Sequence, residues 1–414
     1  MPTRSELRAR FAKEPNIPWR KKLLAYGGFD YPFMLIVTLL LCVGLVMMFS
    51  ASYVYAYRHF RGNSYHFIQR QLVWAVVGFA LMLIVSKINL NVLRKLAIPA
   101  LVIAIGLLVL VLVLPSNDDF RRWIRIGSFQ FQPSETAKIA LILFFAYAME
   151  KFQKPSYAIS RDAGLVSGRK TRLRRFAMRW WPTAMYMAVL MVIIVLIYLE
   201  NHVSGMIITA GIGLLMIFIG EQRIPLWFYA IGIGIVAMGI YIVFRNPDIL
   251  PGHAAQRIIA FQNPESDPTG SNWQTIQSLL AVGSGGWFGQ GLGNSIQKHL
   301  YLPEPQNDFV FAIVAEEVGF IGSILILLLF VALVWRGFMI ALHTKERFGS
   351  LLVLGIVLQV GLQTALNIGV VTAVIPNTGI PMPFFSYGGT ALVLMLVQMG
   401  VVLAVSRVSR EIKR

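Results

Sequence analysis

One aspartate stands where a proline-stiffened polar segment meets a long apolar run. In Tyr301–Gly322, YLPEPQNDFVFAIVAEEVGFIG, Asp308 opens the apolar stretch and Glu316 and Glu317 lie inside it. Ionisable groups within a bilayer cost at least ~2.5 kcal/mol each, so they are rare and usually functional. A carboxylate between a wet loop and an apolar helix can serve as general base to a hydroxyl within hydrogen-bond reach. It can equally serve as a capping or first-turn acid, where the helix dipole favours it. Glu316 and Glu317 fall about 12 Å deeper along a helix, with Glu317 pointing away from the Asp308 side. Both are read as structural acids, each paired to a helix neighbour.

Three further groupings could work with that carboxylate. In RRWIRIGSFQFQPSETAKIA, residues 121–140, Gln132-Pro133-Ser134 reads as a helix start. Glu135 and Lys138 are then one turn apart on one face, as an internal salt bridge or a cavity-lining pair. Arg121, Arg122 and Arg125 precede them and suit either an anionic head group, which guanidinium binds bidentately, or interfacial anchoring. The run Gly283–Gly293 offers backbone N–H groups that can approach an anion, or is a flexible connector. Trp273–Val282 before it fits a short amphipathic helix at the interface. Finally, IPNTGIPMPFFSYGGTALVL, residues 375–394, has three prolines and a Gly-Gly pair between apolar spans, which fits a re-entrant or broken segment lining a cavity. Gln363 and Asn367 just before it need buried partners.

The elements that must hold these groups are membrane helices. Of 414 residues, 57% are hydrophobic and 14% charged, with mean hydropathy +0.66. That composition belongs to polytopic membrane proteins. About 20 apolar residues cross a bilayer as a helix, and ten such spans are expected: 31–54, 67–86, 95–114, 134–150, 182–199, 203–220, 224–244, 308–335, 349–375 and 384–406. The fold class is thus an all-α polytopic membrane protein. The first span reads as an uncleaved signal anchor. With the N-terminus cytoplasmic, inside segments carry 27 Lys and Arg and outside segments 9, which puts both termini inside. The organisation is a basic tail over 1–30, a membrane domain over 31–406 and a cytoplasmic tail over 407–414. A basic loop at 151–181 faces the cytoplasm, and a large loop at 245–307 lies outside. The net charge of +18 follows from this bias, so nucleic-acid binding is rejected. Cys42 is the only cysteine, which excludes an internal disulfide or a thiolate metal cluster.

The motifs RWIRIG…FQPSETAK, NPESDP, GLGNSIQ, YLPEPQNDFVFAIVAEEVGF and PMPFFSYGG together resemble the SEDS family of bacterial cell-wall growth (FtsW, RodA, SpoVE), nearer to its FtsW/SpoVE branch. The likeness runs from Phe49-Ser50-Ala51-Ser52 through the tenth span. It implies a peptidoglycan glycosyltransferase of the bacterial cytoplasmic membrane that polymerises lipid II at the outer face, in septal wall synthesis. On matching motifs, Asp308 takes the place of the family's essential aspartate, and Glu135 and Lys138 that of its buried polar pair. Arg121, Arg122, Arg125, Gln297, Lys298 and Ser386 are taken as substrate contacts. The family works with a class B penicillin-binding protein, a transpeptidase, among other divisome membrane proteins. A Mg or Mn ion near the pyrophosphate fits that chemistry, but no cluster with ligand spacing is visible. One departure stands out. Where many members carry Pro-Asp-Leu-Gly, this chain has Leu199-Glu200-Asn201-His202-Val203-Ser204-Gly205, so the roles of Glu200 and His202 stay open.

Two other functions are compatible with the sequence. A lipid II flippase needs a polar path through the membrane, for which Glu135, Lys138, Glu316 and Asn367 are the candidates. A non-catalytic scaffold needs only helices that recruit the transpeptidase.

Overall fold

A computed structural model describes residues 28–114, 122–126, 129–152, 169–220, 253–262 and 272–411, with single residues at 238, 245, 246 and 270. Within a bilayer every backbone N–H and C=O must be satisfied internally, which leaves helices as the form for these apolar runs. They are α1 (Tyr31–His59), α2 (His66–Val85), α3 (Leu90–Val113), α4 (Pro133–Phe152), α5 (Arg169–Leu199) and α6 (Val203–Gly220). They continue as α7 (His253–Gln262), α8 (Trp273–Ser284), α9 (Val310–His343), α10 (Arg347–Val371) and α11 (Gly389–Glu411). A two-stranded antiparallel hairpin, β1 (Ile124–Ile126) and β2 (Phe129–Phe131), leads into α4. Local chemistry starts the elements where expected. Asp30 caps α1 by accepting from Phe33 N at 3.0 Å, with Pro32 in the first turn, and Asn89 caps α3.

Among the described residues, eight helices are long and apolar enough to cross a membrane. α4 forms as expected but carries Glu135, Lys138, Glu150 and Lys151, which sets it apart from those eight. The expected span 224–244, apart from residue 238, and residues 153–168 of the expected loop 151–181 lie outside the described residues, while 169–181 of that loop are helical and open α5. α10 and α11 form the centre, with 67% of their spans buried against 22% for α2. α11 lies along α2, α9 packs on α10 and α1, and α3 packs on α4.

One rim of the bundle is tied by ion pairs. Arg336 grips Asp30 with two hydrogen bonds of 2.9 and 2.8 Å, and Arg94 reaches Glu150 at 2.8 Å and Glu346 at 3.1 Å. Asp30 N donates to Ser406 Oγ at 3.1 Å. These residues come from the starts of α1, α3 and α10 and the ends of α4, α9 and α11, so the two ends of the membrane domain share this rim.

The opposite end carries Asp308. Twenty residues at 1.5 Å rise span a core of about 30 Å. Counted from Asp30 along α1 and from Arg336 back along α9, that distance ends near Ser50 and Glu316. The two counts meet in a contact, because Ser50 Oγ donates to both carboxylate oxygens of Glu317 at 2.7 Å. α9 itself starts at Val310, two residues after the expected 308, and Asp308 stands just before its first turn.

Just past Glu317, α9 breaks. Gly319 adopts φ 69° and ψ −170°, a conformation that costs glycine little. The freed backbone groups pair with the glycine-rich loop. Gln290 N and Gly291 N donate to the carbonyls of Glu316 and Glu317, while Phe320 N and Ile321 N donate to those of Gly286 and Trp287. A Cβ at Gly289 would stand 2.2 Å from the Glu317 carbonyl oxygen, so only glycine allows this approach.

Candidate active site around Asp308

The segment before α9 is held by its neighbours rather than by regular structure. Trp273 Nε1 donates to the Tyr301 carbonyl at 2.7 Å, Gln274 Nε2 to that of Pro303 at 3.3 Å, and Tyr387 N to that of Gln306 at 2.8 Å. Asn367, fully buried on α10, donates to the carbonyls of Asp308 at 2.7 Å and Ile380 at 2.6 Å. One amide thus fixes the aspartate's backbone against the turn 375–388. That turn closes beneath the carboxylate, where Gly379 takes φ +68° and a Cβ would lie 3.1 Å from Asp308 Oδ2. Arg257 Nη1 from α7 comes within 4.0 Å of the same point and donates to the Asn377 carbonyl at 3.4 Å.

Asp308 does not cap α9. Phe309 holds that position without a side-chain hydrogen bond, and among the described residues no hydrogen bond reaches the Asp308 carboxylate. Burial pushes its pKa up to about 6, against the opposing pull of Arg122 and Arg257, and Glu304 adds to the rise. A carboxyl with both oxygens unengaged and a pKa near the working pH is suited to taking a proton from a bound hydroxyl. The two guanidinium groups beside it can hold a phosphate-bearing ligand.

Of the other expected contacts, Arg122 is half-buried next to this carboxylate and Arg125 is exposed on β1. Thr390 Oγ1 donates to the Gln130 carbonyl, tying the hairpin to the start of α11. Arg121 lies outside the described residues. Two of the expected contacts are buried with partners inside the protein. Lys298, taken as a substrate contact, is fully buried, with Nζ 2.6 Å from Glu317 Oε1 and 4.8 Å from the Tyr53 ring centre. A buried ammonium must be paired, and the acid at membrane depth claims it. Ser386 is buried too, its hydroxyl accepting from Met382 N at 2.8 Å to close its own turn. Gln297 is half-buried beside Glu316, to which its backbone N–H donates at 3.4 Å. The glycine-run N–H groups of Gly289, Gln290 and Gly291 are likewise consumed, by backbone carbonyls of Gly285, Glu316 and Glu317, and do not form an anion nest.

Both glutamates of α9 are paired, Glu317 with Ser50 of α1 and with Lys298, and Glu316 with the loop rather than with a helix neighbour. Glu316 accepts from Ser295 Oγ and from Ile296 N at 2.9 Å. Glu135 and Lys138 form a buried 2.8 Å ion pair. The candidate stations of a polar path are thus each engaged: this pair with itself, Glu316 with the loop and Asn367 with two carbonyls. Near the pair, His202 is buried between α5 and α6, with Nδ1 3.1 Å from Ser134 Oγ, and burial with the nearby Arg122 and Lys138 holds its pKa down to about 3. Glu200 is fully buried with neither oxygen hydrogen-bonded among the described residues, and burial pushes it up to about 8. Among the described residues no three His, Cys, Asp or Glu side chains gather as a metal site.

Sequence reasoning missed Arg257, Asn377 and Gly379. Arg257 offered the same signal as the arginines at 121–125, a cation on the side where cations are scarce.

Residues 31–411 match the family of cell cycle proteins FtsW, RodA and SpoVE. Stage V sporulation protein E of Bacillus subtilis is 40% identical over 387 residues, covering 92% of this chain and 98% of that one. A probable peptidoglycan glycosyltransferase FtsW of Trichlorobacter lovleyi is 37% identical over 391 residues, covering 93% and 95%. A chain from a peptidoglycan synthase complex that coordinates polymerization and crosslinking superposes with TM-score 0.70 at 26% identity, covering 92% and 98%. The rod shape determining protein RodA of Thermus thermophilus superposes with TM-score 0.62 at 25% identity, covering 92% and 97%.

Proposed function

The chain belongs to the FtsW/RodA/SpoVE family of cell cycle proteins, and we propose that it is a peptidoglycan glycosyltransferase that polymerises lipid II with Asp308 as general base. The observation that carries this reading is a half-buried carboxylate, free of hydrogen bonds among the described residues, with Arg257 beside it at Gly379 and Arg122 favouring its charged form. Its height suits the substrate. A lipid-linked pyrophosphate stays at the head-group level, and the sugars it bears extend several ångströms further out, toward Asp308.

In the proposed step the acceptor GlcNAc 4-hydroxyl loses its proton to Asp308. Its oxygen bonds to the donor's anomeric carbon as the bond from that carbon to the pyrophosphate oxygen breaks. Undecaprenyl pyrophosphate leaves with the electron pair, and the anomeric configuration inverts. Arg122 and Arg257 stabilise the charge that builds on the pyrophosphate, as donors aimed at developing charge do. Arg125 and Arg121 extend the same positive surface.

The rim that joins Asp30, Arg94 and Arg336 is assigned to the cytoplasm, following the threefold excess of Lys and Arg on that side. Both termini are then inside and Asp308 outside, where the growing wall lies. The chain makes strands without crosslinking them, so we assign it a transpeptidase of the class B penicillin-binding type as partner within the division machinery. The test is direct. Purified protein in liposomes with lipid II should yield glycan strands with β linkages. Lipid translocation without polymer would favour a flippase instead.

A further inference from the structure

The loop between α8 and α9 shows a surface that neither catalysis nor bundle packing uses. Phe288 is 82% exposed, Trp287 67%, Leu292 62% and Ile296 57%. All four sit on backbone clamped to the break in α9, so their presentation is rigid: Trp287 packs edge-on to Phe320 at 5.4 Å, and Phe320 and Ile321 donate into the loop. The clamp lies where Glu317 joins Ser50 of α1 and Lys298, toward the end of the bundle that carries Asp308. The apolar surface runs on without interruption into Phe320 and the outward face of α9 below it.

Charge gives the second observation. Residues 271–297 contain no Asp, Glu, Lys, Arg or His, although they belong to the loop otherwise exposed to water. The first charge after them, Lys298, is fully buried and paired. The polar side chains Gln290 and Asn294 on this stretch are exposed but spend donors on local backbone, the Ser284 and Gln290 carbonyls. Aromatic and aliphatic side chains at the level of the lipid carbonyls, on uncharged and internally satisfied backbone, mark a membrane interface.

We propose that this segment is a wedge in the outer leaflet, with Trp287, Phe288, Leu292 and Ile296 inserted among phospholipid chains. The wedge fixes the bundle's height in the bilayer, and with it the height of Asp308. It stands whether or not Asp308 is the base.

The test is the depth of nitroxide labels in phospholipid nanodiscs. Each label sits on a single cysteine in a Cys42→Ala background: Phe288→Cys, Leu292→Cys and, as a water-exposed control, Glu304→Cys. Collisions with oxygen should exceed those with a soluble nickel chelate at 288 and 292, and the order should reverse at 304. Chelate collisions dominating at 288 and 292 would put the loop in water and overturn the proposal. Low collision rates with both reagents there would mean a protein surface, such as a second copy, covers the patch, which also overturns it. If Phe288→Cys does not purify in folded form, Ile296→Cys reads the same face.

Discussion

Replacing Arg257 with glutamine should move the acidic limb of activity toward higher pH. Asp308 Oδ2 and Arg257 Nη1 lie 3.1 and 4.0 Å from the same point at Gly379, so they are at most about 7 Å apart. Arg257 is exposed, so the attraction is screened: an effective dielectric of about 40 to 80 gives roughly 0.6 to 1.2 kcal/mol. At 1.36 kcal/mol per pKa unit this is about 0.4 to 0.9 units. The sign follows from charge. A cation favours the carboxylate and holds its pKa down, so removing it raises a pKa already at about 6. A base acts only when deprotonated, so the ratio of variant to native rate should be roughly two- to fivefold lower at pH 6 than at pH 8, on top of a pH-independent loss from removing a pyrophosphate contact. The assay is kcat/KM for lipid II polymerisation between pH 5 and 9, which reports the free enzyme. Glu304→Gln should move the limb down, because Glu304 raises the Asp308 pKa. A limb that stays put, or a loss equal at every pH, would refute the electrostatic reasoning.

Three further outcomes follow from the packing. Lys298→Met leaves Glu317 buried and unpaired and should cost about 3 to 5 kcal/mol, whereas Lys298→Met with Glu317→Leu should recover much of it; thermal unfolding in detergent reads both. Gly289→Ala places a methyl against the Glu317 carbonyl at φ +82° and should lower the midpoint by the equivalent of ~2 kcal/mol or more, while Gly286→Ala, with open space at its Cβ, should cost less. Asn367→Leu strips the Asp308 and Ile380 carbonyls of a shared donor, at about 1 to 3 kcal/mol each, and should reduce kcat more than it raises KM.

Much of this was legible in the chain because membrane helices announce themselves by length. The apolar runs gave α1, α2, α6 and α10 to within a few residues, and the i,i+3 spacing gave the Glu135–Lys138 pair. The Lys298–Glu317 pair was not legible because its two residues lie across a chain reversal that no local pattern encodes. The role of the glycine run stayed open for a similar reason. Glycine allows close approach to an anion or to another backbone, and only the broken turn at Gly319 decides which. Arg257 and Gly379 reach Asp308 from α7 and from the turn after α10, separations that composition cannot bridge.

The central claim is that Asp308 takes the proton. The measurement is strand formation from lipid II in liposomes by the Asp308→Asn protein, which keeps shape and hydrogen-bonding capacity while removing the base. The native protein should polymerise, and Asp308→Asn should be about 10²- to 10⁴-fold slower while still binding the lipid. Strands made by Asp308→Asn at the native rate would contradict the account.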